Sequence, residues 1–152
     1  SDIIQNAVDF GEILVKDVLT KRDNIVALDI KKCTNEYLKE FLSQCNYSRI
    51  PVYKGSIDNI IGVLHVRTYL RSLFYDKNTK VRNVLTKPYF VNPQIELDQI
   101  FEGFKQHKTH VAIVTKNGKT LGMVTMEDVL EELVNDINET DTLPKKGGAV
   151  NA

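Results

Sequence analysis

The chain has 152 residues with 20 basic and 20 acidic side chains, so its formal net charge at pH 7 is zero. A neutral chain has no electrostatic reason to bind nucleic acid or an anionic membrane surface, and no nucleic acid partner is expected. No apolar run approaches the ~18–20 residues that a membrane span needs, and the N-terminal segment lacks the features of a signal peptide. We therefore expect a soluble chain with one globular domain or two small repeats.

Residues 1–13 are predicted to form a short connecting helix, because apolar side chains lie at positions 3, 4, 7 and 8 and a glycine follows at position 11. The chain after it reads as strand, helix, strand, strand and helix. Short apolar runs favour the strands, and apolar side chains spaced by three or four residues favour the helices. The predicted strands are Ile25–Leu28, Ile50–Tyr53 and Ile60–Leu64, and the apolar stripes of the helices are Leu38, Phe41, Leu42 and Cys45, then Val66, Tyr69, Leu70, Leu73 and Phe74.

The second half of the chain repeats this order of elements. Its two central strands turn through Asn117-Gly118, a strong signal for a hairpin. Each helix again has a single apolar face that must be buried. The predicted strands are Tyr89–Val91, Val111–Val114 and Leu121–Val124, and the helical stripes are Leu97, Ile100, Phe101 and Phe104, then Met126, Val129, Leu130, Leu133, Val134 and Ile137.

The two halves share sequence as well as element order, which indicates an internal duplication. VKDVLT, which begins at Val15, returns as VRNVLT at Val81, and IGVLHVRTYL, which begins at Ile61, returns as LGMVTMEDVL at Leu121. One such unit is too small to cover both faces of its sheet. We therefore predict an α/β fold of two pseudo-symmetric β-α-β-β-α repeats packed about a pseudo-twofold axis, with a ligand cleft between them. The repeats span residues 14–75 and 76–138, and residues 139–152 are predicted to be a disordered tail.

The sequence GMVTMED places Thr125 at the junction of a predicted strand and helix, with Asp128 one turn later. Thr-x-x-Asp is close to a capping box, in which two side chains satisfy backbone N–H groups at the start of a helix. A helix N-terminus also offers N–H groups and a positive dipole to a phosphate, and a carboxylate accepts two hydrogen bonds from a cis-diol. Spacing alone leaves capping and ligand binding both open.

No catalytic or metal-binding constellation accompanies this motif. The sequence has no GxSxG, HExxH, CxxC or GxGxxG pattern. His107 and His110 stand three residues apart, without a nearby carboxylate or thiol cluster to complete a coordination set. We therefore expect neither an enzyme nor a metal site.

Longer phrases carry a family resemblance. NYSRIPVY followed by IDNIIGVLHV, and later LGMVTMEDVLEELVNDI, resemble the tandem CBS domain pair, or Bateman module, of the CorC/HlyC-type and CNNM-type magnesium and cobalt transport proteins. The resemblance covers about residues 14–138. It implies a non-catalytic regulatory module that binds an adenine nucleotide, ATP or AMP with or without magnesium, in the cleft between the repeats.

The resemblance also implies partners and a location. In those proteins the pair sits beside a transmembrane domain, so the implied location is the cytoplasmic face of the membrane in the parent protein. CBS pairs associate into flat dimers, and the apolar closing helices favour a homodimer here. An interaction module that dimerises without binding a ligand remains the alternative.

The resemblance also implies site residues, which are assigned by matching positions of this sequence to the family's motif. The family's ribose-binding acid falls on Asp128 and its phosphate-contacting hydroxyl on Thr125. Arg49 would supply positive charge to the phosphates, with a surface salt bridge as its alternative, and Thr20 would serve the site or a turn or cap. The implied nucleotide-binding residues are Thr20, Tyr47, Ser48, Arg49, Thr125, Glu127 and Asp128.

A pseudo-symmetric second site would use Thr86, Thr109 and His110. Its closing helix begins with His65 and Thr68, where the first site has a threonine and an aspartate. A threonine cannot act as a charged double acceptor for a ribose. We therefore expect this second site to be empty or weak, and one nucleotide to bind per chain.

Overall fold

The computed structural model describes residues 13–140, with side chains described through residue 135. The predicted connecting helix lies outside the described residues, except for residue 13, as does the predicted tail beyond residue 140. Residues 139 and 140, which the sequence assigned to that tail, instead end the last helix. In chain order the elements are β1 (Thr20–Lys21), β2 (Leu28–Asp29), α1 (Asn35–Ser43), β3 (Arg49–Lys54), β4 (Ser56–His65), α2 (Val66–Tyr75), β5 (Phe90–Val91), α3 (Leu97–His107), β6 (Val111–Lys116), β7 (Lys119–Thr125) and α4 (Met126–Thr140), with short 3₁₀ turns at Val15–Asp17, Arg22–Asn24, Ile30–Lys32 and Val81–Val84.

The described elements confirm the two β-α-β-β-α repeats. The first sheet has the order β2-β3-β4 and the second the order β1-β7-β6-β5. In each sheet the short first strand of the repeat runs parallel to its neighbour, and the two long strands form an antiparallel hairpin. The ladder shifts register after Val52↔Gly62 in one hairpin and after Val114↔Gly122 in the other. The duplication therefore extends to a shared irregularity of the backbone.

The segments that lead into the first parallel strand of each repeat pair with the sheet of the other repeat. Thr20 and Lys21 pair with β7 of the second repeat, and Thr86 forms an isolated bridge with Val63 of the first. Val15, at the start of one exchanged segment, is buried in the core of the second repeat. The sequence assigned residues 14–21 to the first repeat by similarity alone, whereas in the structure they pack on the second sheet.

Two glycines make room for this exchange. A Cβ at Gly122 would collide with the main-chain oxygen of Thr20 and would lie 2.7 Å from a methyl group of Leu19. At the equivalent Gly62, a Cβ would lie 2.8 Å from the Cβ of Leu85. Only glycine allows the two backbones to approach this closely.

Two predicted elements differ in extent. The strand predicted at Ile25–Leu28 pairs only at Leu28 and Asp29, because residues 22–24 form a 3₁₀ turn and the parallel ladder with β3 begins at Leu28. The helix predicted to reach Cys45 ends at Ser43. Cys45 still packs against the first core, as its place in the apolar stripe implied.

A small apolar cluster joins the two repeats. Its buried members come from the first hairpin and from β6, and each loses nearly all of its contact with water. Burial of such side chains is worth roughly 1.5–3 kcal/mol each, so the cluster holds the two repeats together. Its members are Ile60, Val63, Val111 and Ile113, with Tyr53, Ile57 and Met123 packed against them.

Candidate functional site

The Thr-x-x-Asp motif forms a reciprocal cap at the start of α4. The Asp128 N–H donates to Thr125 Oγ1 at 3.1 Å, and the Thr125 N–H donates to Asp128 Oδ2 at 3.0 Å. This is the capping interpretation, and it is confirmed. Asp128 Oδ1 makes no hydrogen bond within the described residues. Capping therefore occupies one carboxylate oxygen and leaves the other available.

Arg49 brings a positive charge from the first repeat to this cap. It begins β3, opposite His65, and its Nη1 lies 4.0 Å from Oε1 of Glu127 in the first turn of α4. The salt bridge weighed from the sequence is thus present, at the outer limit of an ion pair. Because Glu127 is largely exposed, the pair contributes about 0–1 kcal/mol to stability.

Thr20 reaches the same region through the exchanged segment. It lies opposite Met123 in β7, and Thr125 is two residues beyond Met123 on the same face of the strand. The 3₁₀ turn after β1 is capped by Lys21 without a side-chain bond. Thr20 is therefore not the cap of that turn.

Tyr47 and Ser48 lie apart from the cap. They line a depression of about 720 Å³ whose walls belong to the first repeat, including Arg49, His65 and Arg67. The Ser48 carbonyl accepts the first N–H of α2 at 2.9 Å. The predicted set therefore divides in two, and Arg49 is the residue that belongs to both parts. Arg49, Thr125, Glu127 and Asp128 are brought together around the start of α4, and Thr20 lies on the neighbouring strand opposite Met123, whereas Tyr47 and Ser48 lie at the start of α2.

The pseudo-equivalent position at the start of α2 has different chemistry. His65 Nδ1 and Thr68 Oγ1 are 2.9 Å apart, in place of the threonine and carboxylate of the other repeat. Burial, followed by the nearby charge of Arg49, lowers the pKa of His65. The Thr86 hydroxyl donates to the Val63 carbonyl at 3.2 Å. This position offers no carboxylate to a ribose.

One polar cluster was not predicted from the sequence. The guanidinium of Arg22 pairs with the carboxylate of Asp58, and its Nη1 also donates to the Thr120 carbonyl at 3.1 Å. The Thr120 N–H donates to Asp58 Oδ1 at 2.9 Å. These three residues, the Arg22 cluster, are 36 to 98 positions apart in sequence, so no local pattern could have found them.

Residues 13–140 contain neither a candidate metal cluster nor a membrane-spanning helix. Within the described residues, no group of three or more His, Cys, Asp or Glu side chains is arranged to hold a metal ion. None of the helices in this part of the chain is long and apolar enough to cross a bilayer.

Known proteins resemble this chain in sequence and in structure. A family model for the CBS domain matches residues 81–135. The CBS domain of a bacterial CNNM/CorC family Mg2+ transporter in complex with ATP superposes with a TM-score of 0.78 and 32% identity, covering 88% of this chain and 95% of that one. A CBS-domain pair with bound AMP from Klebsiella pneumoniae superposes with a TM-score of 0.69 and 27% identity, covering 80% and 98% of the two chains. Hemolysin C of Brachyspira hyodysenteriae is 34% identical over 139 residues, which are 91% of this chain and 51% of that protein.

Two β-α-β-β-α repeats with exchanged leading segments define a tandem CBS-domain pair. Within that class, the chain belongs to the CNNM/CorC family of CBS-domain proteins, which includes hemolysin C relatives. The fold and the family predicted from the sequence are therefore confirmed. The chain spans about half the length of the curated relatives it matches.

Proposed function

We propose that this chain is a non-catalytic regulatory module that binds one adenine nucleotide, ATP or AMP, in the cleft between its repeats. The observation that carries the proposal is the approach of Arg49, from one repeat, to the first turn of α4 in the other, beside Thr125 and Asp128. The ATP-bound and AMP-bound relatives support it. The parent protein would be a CorC/HlyC-type magnesium or cobalt transporter or efflux regulator, with this module beside its transmembrane domain on the cytoplasmic face.

Asp128 and Thr125 can bind a nucleotide without giving up the cap. A carboxylate has about four acceptor positions, of which the cap uses one, so Asp128 Oδ1 can accept hydrogen bonds from a ribose diol. The Thr125 hydroxyl accepts the capping bond and keeps its own hydrogen to donate to a phosphate oxygen. The cap thus orients both groups before the ligand arrives.

Arg49 can exchange its weak pair for a phosphate. A guanidinium forms two parallel hydrogen bonds with a phosphate, which are stronger than a 4.0 Å contact with an exposed carboxylate. Glu127 would then face the phosphates as a like charge. Magnesium bound to the phosphates would screen this repulsion, so titrations with and without magnesium test whether it accompanies the nucleotide.

Calorimetric titration with ATP, AMP, adenosine and GTP tests the proposal. We expect adenine nucleotides to bind at one site per chain and ATP to stay unhydrolysed. Arg49→Ala should weaken ATP binding by about tenfold or more and adenosine binding very little, because adenosine carries no phosphate. Arg82→Ala, which removes an exposed arginine from the inter-repeat segment, is the control. The proposed function would be refuted if none of ATP, AMP and adenosine bound.

The alternative, an interaction module that only dimerises, rests on a separate observation. The closing helices α2 and α4 expose apolar side chains at equivalent positions: Leu70 and Phe74 are 50% and 84% exposed, and Leu130 and Val134 are 41% and 53% exposed. A second copy of the chain could cover both helices in one symmetric contact. Thermal melting with and without ATP separates the two functions, because only a ligand that binds the native state raises the melting temperature.

A further inference from the structure

The Arg22 cluster joins three parts of the chain that lie far apart in sequence. Arg22 follows the exchanged strand β1, Asp58 belongs to β4 of the first repeat, and Thr120 belongs to β7 of the second. The Thr120 hydroxyl also donates to the Ile57 carbonyl at 2.8 Å. Thr120 is only 1% exposed, so its polar groups depend on these partners.

The cluster has no counterpart at the other pseudo-equivalent position. The strand β4 has ten residues and β7 has seven, and Ile57 and Asp58 lie in the additional length. The sequence repeat places Pro88, Gly118 and Ile60 where the cluster has Arg22, Asp58 and Thr120. None of these three can form a charged or side-chain hydrogen bond. The cluster therefore breaks the pseudo-twofold symmetry.

The asymmetry coincides with that of the candidate site. The exchanged segment with the cluster places Thr20 opposite Met123, two residues before Thr125, whereas the segment without it places Thr86 opposite Val63, two residues before His65. β1 is only two residues long, and so short an edge strand frays easily on its own. Arg22 follows it directly and connects it to both repeats.

We propose that Arg22 and Asp58 are positioning residues for the nucleotide site, acting through Thr20. They hold β1 against β7, so that Thr20 is in place when the ligand binds. The idea rests on the proposed function. When a site is competent for only part of the time, its apparent affinity falls by that fraction. Loss of the cluster should therefore weaken nucleotide binding even though neither side chain touches the ligand.

The test combines a double-mutant cycle with backbone hydrogen exchange. Arg22→Gln and Asp58→Asn should each weaken binding of ATP and of adenosine by about tenfold and speed amide exchange at residues 20–22 and 122–123. In a Thr20→Ala background, Arg22→Gln should cause little further loss of affinity, because the Thr20 side chain that it positions is already absent. Arg22→Lys should restore part of the affinity. Lys105→Gln, which breaks the exposed pair with Glu102, is the matched control and should change neither measurement.

The possible failures can be told apart. If exchange accelerates in Asp58→Asn but the affinity stays at the wild-type value, the cluster is purely structural, and the positioning role is refuted while the proposed function stands. Additive losses from Thr20→Ala and Arg22→Gln would also refute action through Thr20. If the wild type binds no adenine ligand, the proposed function and the positioning role fail together. Asp58→Asn keeps the shape of the side chain, which guards against loss of the fold.

Discussion

At the scale of single residues, Asp128 is a cap in the structure and a ribose acceptor in the proposed function. The two roles differ in what they predict for its removal. Loss of a cap costs about 0.5–2 kcal/mol of stability. Loss of charged hydrogen bonds to a ligand costs about 1.5–3 kcal/mol each and is measured as affinity. One substitution can therefore report on both roles.

We expect Asp128→Ala to weaken binding of ATP and of adenosine alike, by about tenfold to a hundredfold, because both ligands carry the ribose. Asp128→Asn keeps part of the acceptor geometry without the charge and should fall between Ala and the wild type. Calorimetry gives the affinities, and urea unfolding gives the stabilities. Equal affinity of the wild type and Asp128→Ala would leave capping as the only role of this residue.

Asp58 makes the stability of the protein depend on pH. The Arg22 guanidinium holds the pKa of Asp58 below its ordinary value, helped by the Thr120 N–H and the charge of Lys119. The resulting stabilisation is complete above the ordinary carboxyl pKa of about 3.9 and is lost as the pH falls through the lowered value. Asp23 adds a second negative charge near Arg22.

We expect Asp58→Asn to reduce the melting temperature at neutral pH and to reduce it less as the pH falls below about 4, where this carboxylate protonates first in the unfolded chain and then, below its lowered pKa, in the native protein. Melting curves between pH 7 and pH 2.5 measure this difference. Glu102→Gln removes the acid of an exposed pair on α3 and serves as the control. A constant difference between Asp58→Asn and the wild type over the whole range would contradict the assignment.

At the scale of elements, the proposed nucleotide site takes Thr20 from the exchanged segment. β1 contributes Thr20 to the second sheet, and its close approach requires the glycine at position 122. The neighbour that a Cβ would meet there is main chain, which cannot rotate away. At Gly62 the nearest neighbour is the Leu85 Cβ at 2.8 Å, and the Thr86 main-chain oxygen lies at 3.1 Å, so the overlap is smaller than at Gly122.

We expect Gly122→Ala to displace β1 and to lower both stability, by about 1–3 kcal/mol, and affinity for ATP. Gly62→Ala, the equivalent change in the other repeat, should lower stability less and leave the affinity for ATP nearly unchanged. Denaturant unfolding and calorimetry on the two variants provide the comparison. If both variants bind ATP as the wild type does, β1 does not shape the site.

At the scale of the whole molecule, the closing helices present two apolar faces related by the pseudo-twofold axis. Leu70 and Leu130 are equivalent, as are Phe74 and Val134, and all four are exposed. A stable interface buries about 800 Å² on each partner, and contact through both helices at once would engage both of these faces. This supports the homodimer expected from the sequence.

We expect the chain to sediment as a dimer at micromolar concentration and the double variant Phe74→Lys, Leu130→Lys to sediment as a folded monomer, because two buried and unpaired charges would prevent association. Circular dichroism confirms that the variant folds, and Lys105→Ala is a surface control. A wild type that remains monomeric at high micromolar concentration, with and without ATP, would contradict this expectation.

The amino-acid sequence by itself determined the duplication, the helices, the central hairpins and the Thr125–Asp128 cap. The helices, hairpins and cap follow from patterns within about ten residues, which local geometry enforces, and the duplication follows from segments that recur along the sequence. The family resemblance added the candidate residues. None of these patterns specifies which sheet a two-residue strand joins.

The tertiary structure alone decided the exchange of leading segments, the approach of Arg49 to Glu127 and the Arg22 cluster. In the cluster, Thr120 is 62 residues from Asp58 and 98 from Arg22. Such contacts depend on the relative position of the repeats, which the apolar cluster between them holds, because the chain between the partners is long enough to allow many other pairings. Local periodicity thus determines the helices and strands. The burial of apolar side chains between the repeats determines which polar side chains meet there.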